Sequence, residues 1–260
     1  MATGADQAIL ACIRVPKSGP KSLSKIVAEA FPDRTRFYLP DTLRREARIS
    51  RWQAFRLWRS QAQNLSKHWG VLSLDKALAK IDAAAAPGDL LIGGHFDQPT
   101  VAAGLSRPVR SIVLLRDPAD RARSDYNYAR QGFLKKKPWQ RFDAHLTAQA
   151  AGRYGFEGFL DYQLEHPEVF ADLACAFLGW REGTGIETVL PTIVCWGVLE
   201  QADAFAARMS DLAGRPLTFG QSNATRQVEV LDISAAERRK IERLYARDLE
   251  LYARCRADAA

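Results

Sequence analysis

VPKSGPKSLSKIV, residues 15–27, follows directly on the apolar run AILACIRV (residues 8–15), and the junction of the two decides the architecture. An apolar run that stops at Pro16 predicts a buried strand feeding a loop. Residues 22–30 carry helical spacing, and Gly19 permits a tight turn between the two elements. Strand, tight loop and helix N-terminus together make an anion cradle, because backbone N–H groups and the helix's partial positive charge both favour negative charge there.

The triphosphate signature G-x-x-x-x-G-K-[ST] is not met. Pro20 stands where its second Gly belongs, ahead of Lys21 and Ser22, and a second lysine, Lys17, stands four residues earlier. The residues leave two readings open: a phosphate loop of another kind, with Lys17 and Lys21 as point charges and Ser18 and Ser22 as donors, or an ordinary loop with solvated lysines.

Outward from this stretch the same alternation recurs. Further strands are expected within residues 34–39, 88–96, 109–117 and 192–200, and helices over 118–130, 169–180 and 202–214. Residues 234–255 open with Ser234 and, three residues on, Glu237, a capping box, and continue as one amphipathic helix. Residues 41–69 form a basic, Trp-bearing stretch with helical spacing, and the Gly-containing segment 132–158 reads as irregular or inserted. The expected fold is α/β, three-layered, with a mostly parallel central sheet flanked by helices, in one domain spanning 1–260 with its core over about 8–252.

Composition narrows the function classes. With 47% apolar and 26% charged residues the chain has the balance of a globular protein, and its net charge of +7 favours an anionic partner. Four scattered cysteines form no C-x-x-C pair, which argues against a zinc site and against a dense disulfide frame. No apolar run approaches membrane-spanning length and no secretory leader is evident, so a cytoplasmic location is expected.

Open parallel sheets bind ligands beyond the carboxyl ends of their strands, so the residues at the strand ends are the candidates for chemistry. The strand within 109–117 ends in LLRDPADRARS, where Arg116 and Ser124, eight residues apart, suit a second phosphate. The alternative is an Arg116–Asp120 surface pair with Ser124 on a solvated face. The strand within 88–96 ends in GGHF, where His95 is either a base or a hydrogen-bonded structural histidine.

VPKSGPKSLS followed about a hundred residues later by VLLRDPADRARSDYNY resembles the sulfotransferase superfamily that uses 3′-phosphoadenosine-5′-phosphosulfate (PAPS), whose fold is P-loop NTPase-like. The resemblance implies that Lys17, Ser18, Gly19, Pro20, Lys21 and Ser22 bind the 5′-phosphosulfate, with Pro20 and Lys21 departing from the family pattern. It implies that Arg116 and Ser124 bind the 3′-phosphate. GH ahead of the R-D-P strand is similar to the carbohydrate O-sulfotransferase branch, which makes His95 the base and Lys17 its catalytic partner. VCWGVLEQADAF resembles the family's late strand, and QSNATR its nucleotide-closing loop, which implicates Asn223 and Arg226.

The implied activity moves a sulfuryl group from PAPS to a small-molecule or carbohydrate hydroxyl acceptor, releasing adenosine 3′,5′-bisphosphate (PAP), with no metal, nucleic acid or membrane span. Segments 41–69 and 132–160 fall on the acceptor side. Two rivals stand beside it: a P-loop kinase using Mg-ATP, and a basic nucleic-acid-binding module.

Overall fold

The computed structural model describes residues 8–39, 74–141, 146–220 and 232–258. The 41–69 stretch, Asn223 and Arg226 lie outside the described residues. Each of the five expected strand segments contains a strand: β1 (Ile9–Ile13), β2 (Arg36–Leu39), β3 (Leu90–Gly93), β4 (Val109–Leu115) and β5 (Ile193–Val198). They form one sheet in the order β2-β3-β1-β4-β5, and every neighbouring pair is parallel.

The sheet is covered on both faces, and its central strand β1 is apolar and buried at every position. On β1, Ile9, Ala11 and Ile13 join one core, and Leu10 and Cys12 join the other. The second core is closed by α1 (Pro20–Ala30), through Leu23, Ile26 and Val27, and by a helix at Ala202–Ala213, through Phe205 and Met209. On the opposite face lie α2 (Leu74–Ala84) and α3 (Gln98–Ala103), helices the sequence reading did not anticipate. Each fully buried Leu or Ile contributes about 1.5–3 kcal/mol relative to exposure.

The helix after β4 is α4 (Pro118–Leu134), longer than expected by one turn. The segment expected to be irregular ends in a helix, α5 (Leu146–Glu165), kinked at Gly155 with φ 70°. Its Phe156 and Phe159 pack on Tyr126 of α4, with ring centroids 5.3 and 5.6 Å away. Gly152 allows the close approach of the two helices, since a Cβ there would lie 2.1 Å from the Phe133 ring.

Two helices expected to be continuous are broken. The 169–180 segment is split between α6 (Pro167–Phe170) and α7 (Leu173–Leu178), and the C-terminal helix into α9 (Ala235–Leu244) and α10 (Ala246–Ala257), after α8 (Ala202–Ala213). The Ser234–Glu237 capping box opens α9 as expected. The two breaks face each other. Asp172 Oδ1 accepts from the backbone N–H groups of Arg247 and Asp248 at 2.9 and 3.1 Å, capping α10. Asp248 in turn accepts from those of Ala174 and Cys175 at 3.2 and 2.9 Å, capping α7. Each helix thus supplies the carboxylate that satisfies the other's free N-terminal donors.

Candidate functional site

The chain leaves β1 toward β3 and β2 but leaves β4 toward β5, so the topological switch point lies between the carboxyl ends of β1 and β4. Both anion-reading motifs open there. Lys17 stands four residues past Ile13, Arg116 one past Leu115, and Arg116 Nη1 donates to the Lys17 carbonyl at 3.3 Å. Residues 99 apart in sequence therefore meet at one crevice.

The loop after β1 is held in an uncommon conformation. Lys17 has φ 65°, a left-handed geometry costly for a residue with a Cβ, and Gly19 has φ 73°. Gly19 is also tight against Leu199, whose Cδ1 would lie 3.3 Å from an added Cβ. Pro20 occupies the first turn of α1, where its missing N–H leaves no helical bond unmade. Ser18 and Ser22 are buried beneath the loop. Among the described residues the Ser18 hydroxyl has no hydrogen-bond partner, and it borders a pocket of about 10 Å³ shared with Arg116, Arg121 and Tyr252, room for about one water. A buried hydroxyl left so costs about 1–3 kcal/mol.

Lys17 Nζ lies 4.2 Å from the centroid of the exposed Tyr128 ring on α4. Burial pushes the Lys17 ammonium below its ordinary pKa, the Asp125 carboxylate pulls it back up, and the Arg116 guanidinium pushes it down again. Asp125, next to Ser124 in the motif, has its own pKa raised by burial, against lowering by Lys17 and Arg121 and by a hydrogen bond from Gln163 Nε2 at 3.4 Å. Asp125 is a site residue that the sequence reading missed. An acid beside a cation cradle has no spacing rule to expose it.

The R-D-P tripeptide divides its labour. Arg116 faces the crevice, while Asp117 caps α4 by accepting from the N–H groups of Ala119 and Asp120 at 2.8 and 3.1 Å, and Pro118 sits at the first helical position. The Asp117 N–H donates to Glu200 Oε1 at 3.2 Å, and the Tyr252 hydroxyl donates to Glu200 Oε2 at 3.4 Å, which ties the ends of β4 and β5 together. Asp120 pairs with Arg123, not with Arg116. Ser124 is half-buried on the second turn of α4.

His95 lies two residues past β3, and its Nδ1 is 2.5 Å from the Arg14 carbonyl at the end of β1. A carbonyl only accepts, so Nδ1 carries the proton and the lone pair of the neutral ring is on Nε2. Gly93, with φ 125°, instead lets the end of β3 lie close to β2, since a Cβ there would meet the Leu39 carbonyl at 2.8 Å. Lys21 is exposed and lines a separate groove between α1 and β2, whereas Lys17 turns toward α4. The ends of β1, β3 and β4 thus bring Lys17, Ser18, Gly19, Ser22, His95 and Arg116 to one edge of the sheet.

Among the described residues no group of three or more His, Cys, Asp and Glu side chains is placed to hold a metal, and no helix is long and apolar enough to cross a membrane. Comparison of the chain with protein-family models, with curated proteins and with solved structures finds no match.

Proposed function

We propose that this chain is a sulfotransferase that moves a sulfuryl group from PAPS to a hydroxyl acceptor and releases PAP. One observation carries the reading: Lys17 and Arg116, on loops from different strands, converge at the switch point of a parallel sheet with a hydrogen bond between the loops. Two half-buried cations brought close disfavour each other's charge until an anion arrives.

The acceptor oxygen attacks sulfur as the bond from sulfur to the 5′-phosphate oxygen breaks, and the acceptor proton passes to His95 Nε2. Lys17 offsets the charge that grows on the departing phosphate, with Ser18 and Ser22 donating to its oxygens. Arg116, with Ser124, serves the 3′-phosphate. None of these steps is routed through a metal. The four cysteines are free and buried, which suits a reducing, cytoplasmic setting. The acceptor is a small molecule or carbohydrate.

Nucleotide preference tests the reading. PAP should raise the melting temperature well beyond ADP or Mg-ATP, since a ligand at about 100 times its dissociation constant adds ~2.7 kcal/mol, and each kcal/mol shifts a chain of this size by roughly 2–4 °C. Arg116→Ala should remove about 1.5–3 kcal/mol of that preference. A larger shift with Mg-ATP transfers the reading to a kinase, and no shift with either nucleotide overturns it.

A further inference from the structure

The helices α4 and α5 form an antiparallel hairpin, since Tyr126 packs on Phe156 and Phe159 while Phe133, later on α4, lies against Gly152, earlier on α5. Residues 126–156, which make up most of it, carry six basic residues and one acid, and so supply a net +5 of the chain's +7. Lys135, Lys136, Lys137 and Arg141 lie in the turn after α4. Among the described residues none of the four pairs with a carboxylate.

Hydrogen bonds fix the shape of this turn. Arg141 folds back on it, Nε donating to the Lys136 carbonyl at 3.1 Å and Nη2 to the Leu134 carbonyl at 3.4 Å, with its guanidinium 5.2 Å from the Phe133 ring centroid. Gln140 closes one 3-10 turn over Pro138–Gln140, its backbone N–H donating to the Lys137 carbonyl at 2.8 Å and its side-chain oxygen accepting from the Lys137 N–H at 3.2 Å. Trp139 is thereby held in solvent, 67% exposed, with Lys137 Nζ 5.2 Å from its ring centroid. Leu134 and Leu146, at the adjoining ends of the two helices, are 45% and 52% exposed.

Single exposed apolar residues are ordinary, but a tryptophan and two leucines at one hairpin tip among unpaired cations require a partner that is both anionic and apolar. The leucines have neither charge nor stacking face to offer a nucleic acid. An indole ring and aliphatic side chains do enter the boundary between lipid headgroups and acyl chains, while lysines stay at the headgroups. We propose that the tip of the α4–α5 hairpin docks on an anionic lipid surface, with Leu134, Trp139 and Leu146 entering that boundary and Lys135, Lys136, Lys137 and Arg141 meeting the charged headgroups. The proposal rests on the hairpin tip and is independent of the sulfotransferase reading. Tyr128, which meets Lys17, precedes the end of α4 by about 9 Å at the helical rise, so the crevice lies within about two helical turns of the docking residues.

Sedimentation with vesicles tests it, comparing phosphatidylcholine alone with a phosphatidylcholine–phosphatidylserine mixture. The protein should bind the mixed vesicles roughly tenfold or more tightly than phosphatidylcholine, and less tightly as salt rises. The triple variant Lys135→Gln/Lys136→Gln/Lys137→Gln should lose roughly tenfold or more of that affinity. Lys25→Gln/Lys80→Gln/Arg239→Gln, which removes three exposed charges elsewhere, should keep most of it. Trp139→Ala should lose several-fold with every lysine in place, and brominated acyl chains should quench the fluorescence of the wild type more than that of Trp139→Ala. All these side chains lie at the surface, so each variant should melt close to the wild type. No preference for the mixed vesicles, equal losses from the two triple variants, or unchanged binding in Trp139→Ala overturns the proposal. So does a single-stranded oligonucleotide that binds through the same lysines more tightly than the vesicles and displaces them, which would give the tip to nucleic acid.

Discussion

Arg116 and Arg121 stand five residues apart on the same β4–α4 turn and have opposite surroundings. Arg121 is buried, meets Asp248 Oδ2 at 2.5 Å and stacks over the Tyr245 ring at 4.5 Å. Arg116 meets, among the described residues, no carboxylate, and donates to a carbonyl. The same contrast separates Arg247, which pairs with Asp172 at 3.0 Å, from Lys17, whose ammonium faces Tyr128 with a carboxylate disfavoured by burial nearby. Cations that hold the fold together come with their counter-charge built in. Cations at the sheet's carboxyl edge are left to be completed by something else.

The largest effect should come from breaking the completed side. Asp248→Ala strands the buried Arg121 charge and uncaps α7, and loss of one partner of a buried pair costs about 3–5 kcal/mol. Denaturant unfolding should show that loss, while Arg116→Ala should leave the melting temperature of the free protein near that of the wild type. If the two variants melt alike, the distinction between the two sets of cations is wrong.

On the incomplete side, Lys17→Ala should lower turnover by roughly 10²- to 10³-fold, as when one stabilising donor to a developing charge is removed. Mass spectrometry of sulfated product reads this directly, and equal turnover would take Lys17 out of the mechanism. Lys17→Gly should share the catalytic loss yet raise stability by about 1 kcal/mol, because it relieves the left-handed backbone strain. A fold that loses stability on that substitution would mean that the Lys17 side chain holds the loop.

The smallest effect sharpens the comparison through pH. The Asp125 pKa is raised in the fold, so the native state holds its proton more firmly than the unfolded chain, and the group's contribution to stability declines as pH rises from 3.8 through the raised value. Asp125→Asn lacks that decline. Its stability relative to the wild type should therefore increase across that window, followed by thermal melts at successive pH values. The same variant removes the carboxylate that raises the Lys17 pKa, so Lys17 should titrate at a still lower pH. A stability difference that is flat with pH would show that Asp125 titrates as it does in the unfolded chain.

The sheet was legible because apolar runs ending in polar turns leave few alternatives, and the register of β1 with β4 brings the two motif loops together without further information. The α5 helix was not. Gly152, Gly155 and Gly158 signal irregularity in sequence, yet Gly152 serves close packing on Phe133 and Gly155 a kink. The breaks at Asp172 and Tyr245 were hidden for a different reason, since each is compensated by a residue far away in the chain. His95 was singled out by its place after a strand, but the hydrogen bond to Arg14 that selects its tautomer crosses 81 residues. Asp125 escaped because its effect on Lys17 is a matter of distance and burial, which sequence spacing does not encode.

The exchange of caps between Asp172 and Asp248 spans 76 residues, so neither helix start gains its carboxylate until the whole intervening chain has closed. Loop-closure entropy is spent before that reward is collected. Contacts of this kind belong late on the folding coordinate, where they slow unfolding more than they speed folding. The C-terminal helices then act as a latch on the finished sheet, one that keeps the β4–α4 turn in place by lengthening the lifetime of the native state.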